Sequence, residues 1–269
     1  MYNYRMRIGI FDSGLGGLII AKSIFKKLPA YDYVYLGDTG HVPYGNRPQA
    51  EILNFTQQAL RYLFDNDCKL VIIACNTSSA KALRKIQREF LPKYYPDRKV
   101  LGVIVPTLES IPKTAKKIGV IATASTCKSH AYKREFAKIN SKAQVFEQAA
   151  PKLVPLIEGD RLQNAGIPLE QYLKPLRKKN IDALVLGCTH YPILKKEIKR
   201  IMGGKVKVIS QDEIVPAKLA DYLRRHKEIS SQLSKNHKRL FAVTKINKGF
   251  EQVAKRLFGI KIDLKQVKY

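Results

Sequence analysis

Short apolar runs alternate with longer segments of helical period along most of the chain, and that alternation leaves few folds open. The run RIGIF (residues 7–11) leads into GGLIIAKSIFKKLP, and YVYL (33–36) leads through the loop GDTGHVPYGNRP into QAEILNFTQQALRYLFDNDC, where Leu and Phe recur at helical spacing. LVIIA (70–74) precedes SSAKALRKIQREFLPKYY. An apolar strand followed by an amphipathic helix is the sequence form of a βαβ unit, because helices cover both faces of a parallel sheet and its strands need no polar side. The order then restarts: KIGVIATAST (117–126) with SHAYKREFAKIN, AQVFEQAAP with LVPLIEGDRL, and ALVLG (183–187) with CTHYPILKKEIKRIM.

The two halves echo one another. Gly9-Ile-Phe-Asp-Ser aligns loosely with Gly119-Val-Ile-Ala-Thr at an offset of 110, and Cys75 aligns with Cys188 at an offset of 113. Near-equal offsets for two separate landmarks point to a pseudo-duplicated architecture. The expected fold is α/β, with two pseudo-symmetric doubly wound domains built on mostly parallel sheets. Turn residues and proline mark crossings at 94–106 and 203–216, so the expected domains are residues 1–98 plus 210–269, and 99–209. The tail carries one weak strand, LFAVT (240–244), and the first domain is its expected host.

A chain of 269 residues suffices for a substantial core. The 49 Lys+Arg against 22 Asp+Glu give a net charge of +27, which draws in anionic small molecules and permits non-specific attraction to nucleic acid or anionic membrane. The basic residues are scattered, as in Lys26-Lys27 and Lys235 to Arg239, without interleaved stacking aromatics or a nucleic-acid motif. They read as solvated surface, and no nucleic-acid partner is expected. The N-terminal MYNYRMRIGIFDSG breaks its apolar stretch at Asp12 and does not read as a signal peptide, and no apolar run approaches the ~18 residues that span a bilayer. Cys68, Cys75, Cys127 and Cys188 show no C-x-x-C pairing and no clustered His partners, so neither a metal site nor a disulfide scaffold is expected. The protein reads as cytoplasmic, with free thiols and no membrane partner.

Two of those thiols stand out. LVIIACNTSSA (70–80) and ALVLGCTHYPIL (183–194) each carry a cysteine from the end of an apolar run to the start of a helix, with small hydroxyl and amide groups next to it. In open α/β sheets ligands bind beyond the carboxyl ends of the strands. A helix N-terminus there favours the thiolate and offers N–H groups to a carboxylate or phosphate. Cys68 and Cys127 read as small core residues. Facing each other across a small ligand, Cys75 and Cys188 can remove a proton from one face of a carbon and deliver one to the other, which inverts the centre. FDSGLGG (11–17) adds Asp12 and Ser13 at another strand end; its glycines suit a tight strand-to-helix turn, and Asp12 serves either a substrate ammonium or a helix N-cap. It is not a dinucleotide fingerprint, since Ile19 occupies the third glycine position. In GDTGHVPYG (37–45), Tyr44 and Gly45 can line a pocket.

Taken together, GIFDSGLGG, GDTGHVPYG, ACNTSSA, IGVIATAST and GCTHYP resemble the aspartate/glutamate racemase superfamily, in the family's order from residue 8 to 192, and VISQDEIVPAKLADYL and FEQVAKRLFG resemble its closing elements. The resemblance implies two α/β domains with the active site in the cleft between them. It also implies cofactor-independent two-base interconversion of L- and D-glutamate, supplying D-glutamate for peptidoglycan. It places the catalytic thiols at Cys75, acting on the D-isomer, and Cys188, acting on the L-isomer. Auxiliary proton handling falls to Asp12, His190 and Glu158, and substrate binding to Asp12, Ser13, Tyr44, Gly45, Asn76, Thr77, Thr189 and His190. The sequence departs from the family at Ala150, where a Cys is common, at VTKINKGF, where a Thr-Gly-Asp turn is usual, and in its charge. Alternatives are an aspartate racemase or another thiol-pair isomerase of the superfamily, because one methylene is worth only ~1–3 kcal/mol of discrimination. From a different class comes a non-catalytic basic module that binds nucleic acid or a partner, which has no need of two thiols. The sequence sets no oligomeric state, and a homodimer stays open.

Overall fold

The computed structural model describes residues 6–159 and 161–269. The first five residues of the segment read as lacking a signal peptide lie outside them. Among the described residues, two sheets, both wholly parallel, organise the chain. The first has six strands: β1 (Arg7–Asp12), β2 (Tyr33–Gly37), β3 (Cys68–Ile73), β4 (Lys99–Gly102), β9 (Arg239–Val243) and β10 (Leu264–Gln266), in the order β10-β9-β2-β1-β3-β4. The second has four: β5 (Lys117–Ala122), β6 (Gln144–Ala149), β7 (Ala183–Gly187) and β8 (Lys207–Ile209), in the order β6-β5-β7-β8.

Four strands of the first sheet, β2-β1-β3-β4, match the second sheet strand for strand, so the duplication read from two sequence offsets is an architectural repeat. Strands β2 and β3 are buried along their whole length, as expected for strands covered on both faces. Helix α1 (Gly17–Lys27) follows β1, and α2 (Gln49–Asp65) buries Ile52, Thr56, Ala59, Leu60, Leu63 and Phe64, a stripe at helical spacing. Helix α3 (Asn76–Lys81) opens directly after Cys75. The helix Gln211–Arg225 leaves β8 of the second sheet and packs against α1 beside the first. One apolar core runs through both halves, joining Ile8, Ile10 and Leu18 to Leu153, Leu184 and Leu186.

The weak tail strand joins β2 of the first sheet, as its expected host requires. Asp32 secures it, accepting hydrogen bonds from the Asn236 and Lys238 amides at 2.9 and 2.8 Å. Residues 99–102, expected in the second domain, form β4 and pair with β3 of the first sheet, from Leu70↔Lys99 to Ile73↔Gly102. Tyr95, Pro96 and Asp97 look like a linker, but they form the turn that brings the chain back to the sheet edge. No helix among the described residues is long and apolar enough to cross a membrane.

Candidate active site

In the strand order 2-1-3-4, the connections from the two central strands run to opposite sides, which opens a crevice at their carboxyl ends. Each sheet has such a crevice. Asp12 ends β1 and Cys75 follows β3 in the first; Thr123 follows β5 and Cys188 follows β7 in the second. A cavity of about 70 Å³ lies between them, lined by Ser13, Tyr44, Gly45, Cys75, Asn76, Thr77, Thr123, Glu158, Cys188, Thr189 and His190. At ~10–15 Å³ per water-sized probe this is room for a handful of small groups, the scale of an amino acid and not of a nucleotide. A larger cavity of about 330 Å³, lined by residues such as Leu83, Leu101, Val215 and Leu219, contains neither thiol. Chemistry, not size, selects the smaller one.

On the first side, the Cys75 thiol donates to Ser13 Oγ at 3.2 Å, and its sulfur accepts the Ser78 amide at 3.4 Å, so Cys75 itself caps α3. Burial pushes the Cys75 thiol up, and the charge of Asp12 adds to that. Asp12 is fully buried; one carboxylate oxygen accepts the Gly14 amide at 3.1 Å. Its own pKa is raised because burial outweighs the His190 charge and the Gly17 and Gly14 amides. Asp12 is not the N-cap residue, since α1 begins at Gly17 and its N-cap is Gly16; its carboxylate nevertheless reaches the Gly17 amide from the strand end.

On the second side, His190 lies between an acid and a thiol. Its Nε2 lies 2.9 Å from Glu158 Oε1, and its Nδ1 lies 3.7 Å from Cys188 Sγ and 3.4 Å from Thr189 Oγ1. Burial opposes its charge, but the contacts with Cys188 and Glu158 win and hold its pKa well above the usual imidazole range. Glu158 answers in kind. Burial pushes its carboxyl up, and the His190 bond and charge, with the Leu15 amide, bring it below its usual value. The result is a Glu158–His190 pair, the imidazole buried and the carboxylate partly exposed, set against Cys188.

Glycines let the two sides meet. Gly14, Gly16 and Gly17 suggest a tight turn, but none of them has a positive φ; Gly16 sits at φ −59°, ψ −34°. Their purpose is close approach: a Cβ on Gly16 would lie 2.5 Å from His190 Cε1 and Nδ1 and 2.6 Å from Thr189 Oγ1. At Gly45 the added Cβ would lie 3.1 Å from Thr123 Cβ, which brings the 37–45 loop hard against the second half.

All the candidate site residues from the sequence except Asp12 line the cavity, and the charge of Asp12 acts on the Cys75 thiol. Two of the lining side chains are held by partners outside the cavity. The Tyr44 hydroxyl donates to the buried carboxylate of Asp38 at 2.5 Å, leaving its ring and backbone to the cavity. The Asn76 amide bonds to Gln211 and Tyr132. Thr77 Oγ1 meets Thr123 Oγ1 at 3.0 Å and Thr126 Oγ1 at 3.3 Å across the two halves. Thr123 was missed, although the 110-residue offset that relates Gly9 to Gly119 also relates Ser13 to Thr123. Asp38, Tyr132 and Gln211 left no comparable sequence signal. Cys68 and Cys127 lie away from the cavity; burial, with the Glu147 charge behind it, pushes the Cys127 thiol up to about 12.

A duplicated parallel α/β architecture with a buried cysteine at the strand-end crevice of each half, both opening into one small cavity, defines the class of fold and site. Comparison with known proteins gives the family. The family described as Asp/Glu/Hydantoin racemase matches residues 20–214. A glutamate racemase of Trichormus variabilis is 41% identical over 207 residues, 76% of this chain and 69% of that protein. The crystal structure of a glutamate racemase isoform from Bacillus anthracis superposes with a TM-score of 0.88 at 34% identity, covering 98% of this chain and 97% of that one. A glutamate racemase from Francisella tularensis, solved in complex with D-glutamate, has the same TM-score and identity and covers 98% of both chains. The chain belongs to the Asp/Glu/Hydantoin racemase family.

Proposed function

We propose that this protein is a glutamate racemase, interconverting L- and D-glutamate by a two-thiol, cofactor-independent proton transfer at Cα. The observation that carries the reading is the opening of two buried cysteines, at equivalent strand ends of a duplicated sheet, into one cavity. In this reading Cys188 takes the proton of the L-isomer while Cys75 delivers one to the opposite face, and the roles reverse for the D-isomer. The step needs one thiolate and one thiol together. The surroundings differ accordingly: an imidazolium stands against Cys188, whereas Cys75 has a serine hydroxyl and a carboxyl of raised pKa. A substrate ammonium arriving beside Asp12 offsets the burial that raises that carboxyl. Main-chain N–H groups in the first turn of α3, with the Thr77, Thr123 and Thr189 hydroxyls, suit the carboxylates.

We further propose that the sheets belong to two domains, with the chain crossing after Gly102 and again near Ser210. The supply of D-glutamate for peptidoglycan in a reducing cytoplasm is the fitting setting, and free Cys68, Cys75, Cys127 and Cys188 are consistent with it. Following D-glutamate, then D-aspartate, by circular dichroism in D2O tests the reading. Racemisation of glutamate with solvent deuterium at Cα is expected, and Cys75→Ala and Cys188→Ala should each abolish it. Normal turnover by either variant, or a preference for aspartate, would overturn the corresponding part.

A further inference from the structure

Beside the thiols, three buried side chains close a hydrogen-bonded ring that the two-thiol chemistry does not use. Asn76 is the first residue of α3, Tyr132 lies in the helix Ala131–Ala137 of the second half, and Gln211 opens the helix Gln211–Arg225 where the chain returns to the first. Their exposures are 2%, 0% and 1%. The Tyr132 hydroxyl donates to Asn76 Oδ1 at 2.6 Å, and Gln211 Nε2 donates to the same oxygen at 2.8 Å. Asn76 Nδ2 donates back to Gln211 Oε1 at 2.7 Å, while the other Gln211 Nε2 hydrogen goes to the Tyr132 hydroxyl at 3.1 Å.

A carbonyl oxygen has two lone pairs and an amide nitrogen two hydrogens. Both lone pairs of Asn76 Oδ1 are therefore filled, and one of its two N–H donors is used. Asn76 lines the cavity, but neither Tyr132 nor Gln211 does. What the ring leaves for a ligand is a single Asn76 N–H donor, and it denies the ligand the acceptor end of the same amide. A donor in that place suits a carboxylate and disfavours an ammonium.

We propose that Tyr132 and Gln211 are positioning residues that orient the Asn76 amide, so that the wall next to Cys75 presents a hydrogen-bond donor to a substrate carboxylate. The inference rests on the racemase reading and deepens it. Tyr132 and Gln211 act only through Asn76. Losing either frees a lone pair of Asn76 Oδ1, lets the amide turn, and costs ligand recognition without touching either thiol.

The test is a double-mutant cycle on the full chain. Tyr132→Phe keeps the ring and removes only the hydroxyl; Gln211→Met keeps the volume and removes both polar ends. Each should lower kcat/KM for glutamate about tenfold, the scale of one lost buried hydrogen bond. In an Asn76→Ala background, Tyr132→Phe should change kcat/KM by less than about twofold, because its only route of action is gone. An undiminished effect in that background would mark a purely structural role and overturn the proposal, as would an unchanged kcat/KM for Tyr132→Phe alone. Calorimetric binding of D-glutamate to the unmodified chain and to Tyr132→Phe reads the same contact without turnover. If the unmodified chain binds glutamate but does not racemise it, the functional reading fails and the calorimetric comparison still decides this one.

Discussion

Gly16→Ala is the substitution for which the structure makes the sharpest quantitative demand. Its backbone lies in the right-handed helical region, φ −59°, ψ −34°, so alanine meets no conformational objection, and in isolation the change would stabilise by up to ~1 kcal/mol. The objection is the other half of the molecule. The new Cβ would stand 2.5 Å from two atoms of the His190 ring and 2.6 Å from Thr189 Oγ1, against an ordinary contact of about 3.5 Å or more. His190 has no easy retreat, since it is buried and held by Glu158 at 2.9 Å. Either the ring and Cys188's neighbourhood move by about 1 Å, or the β1–α1 turn lifts away, taking Asp12 and Ser13 with it. Overpacking of this kind costs ~1–3 kcal/mol, so net destabilisation should be about 0–2 kcal/mol after the backbone gain. The catalytic loss should be larger, because a ~1 Å misplacement in a reacting constellation costs on the order of 100-fold. Urea unfolding and circular-dichroism racemisation of the same sample separate the two. Full kcat/KM with unchanged stability would refute the view that this glycine serves the contact between the halves.

Glu158→Gln removes the charge that helps raise His190, so the imidazolium should lose its proton at lower pH and the alkaline side of the kcat/KM profile should fall earlier; an unmoved profile would rule out the pair as a unit. A raised histidine pKa contributes stability below the unfolded value and loses it as pH rises through the folded one. The stability deficit of Glu158→Gln should therefore be fullest between about pH 5 and 6.5 and close above that, by urea titration. Tyr44→Phe strips a donor from the buried Asp38 carboxylate and should destabilise by ~1–3 kcal/mol while raising KM, with a melting curve and initial rates as the check. Burial raises the Asp32 pKa, but hydrogen bonds from Ser234, Lys238 and Asn236 outweigh it and hold the carboxyl at about 2. Asp32→Asn should cost ~1–2 kcal/mol above pH 4, and that difference should shrink as pH falls towards 2.

Much of this protein is legible without coordinates because the signals are local. Apolar runs such as LVIIA and ALVLG mark strands buried on both faces, and Cys75 and Cys188 announce themselves by ending them beside small polar residues. Duplication is legible too, since two landmarks at nearly the same offset need no third dimension. What is not local was misread or unseen. Residues 99–102 look like part of a crossing because their place is set by pairing with β3. The glycines of FDSGLGG look like turn residues, and only a side chain about 175 positions away, His190, shows why Gly16 carries no Cβ. Asp12 looks like a helix N-cap until α1 is seen to start five residues later, with Gly16 as its N-cap.

Periodicity and adjacency along the chain were enough for the long apolar strands, the amphipathic helices, their repetition and the two thiols, but not for the short strands β4, β8 and β10. Folding in three dimensions brings both thiols to one cavity, sets Glu158 against His190, and closes Gln211 and Tyr132 on Asn76. The reason is physical. Proton affinities and hydrogen-bond partners depend on burial and on distances of about 3 Å between groups that the chain separates by tens to more than a hundred residues. No pattern along the sequence encodes such a distance.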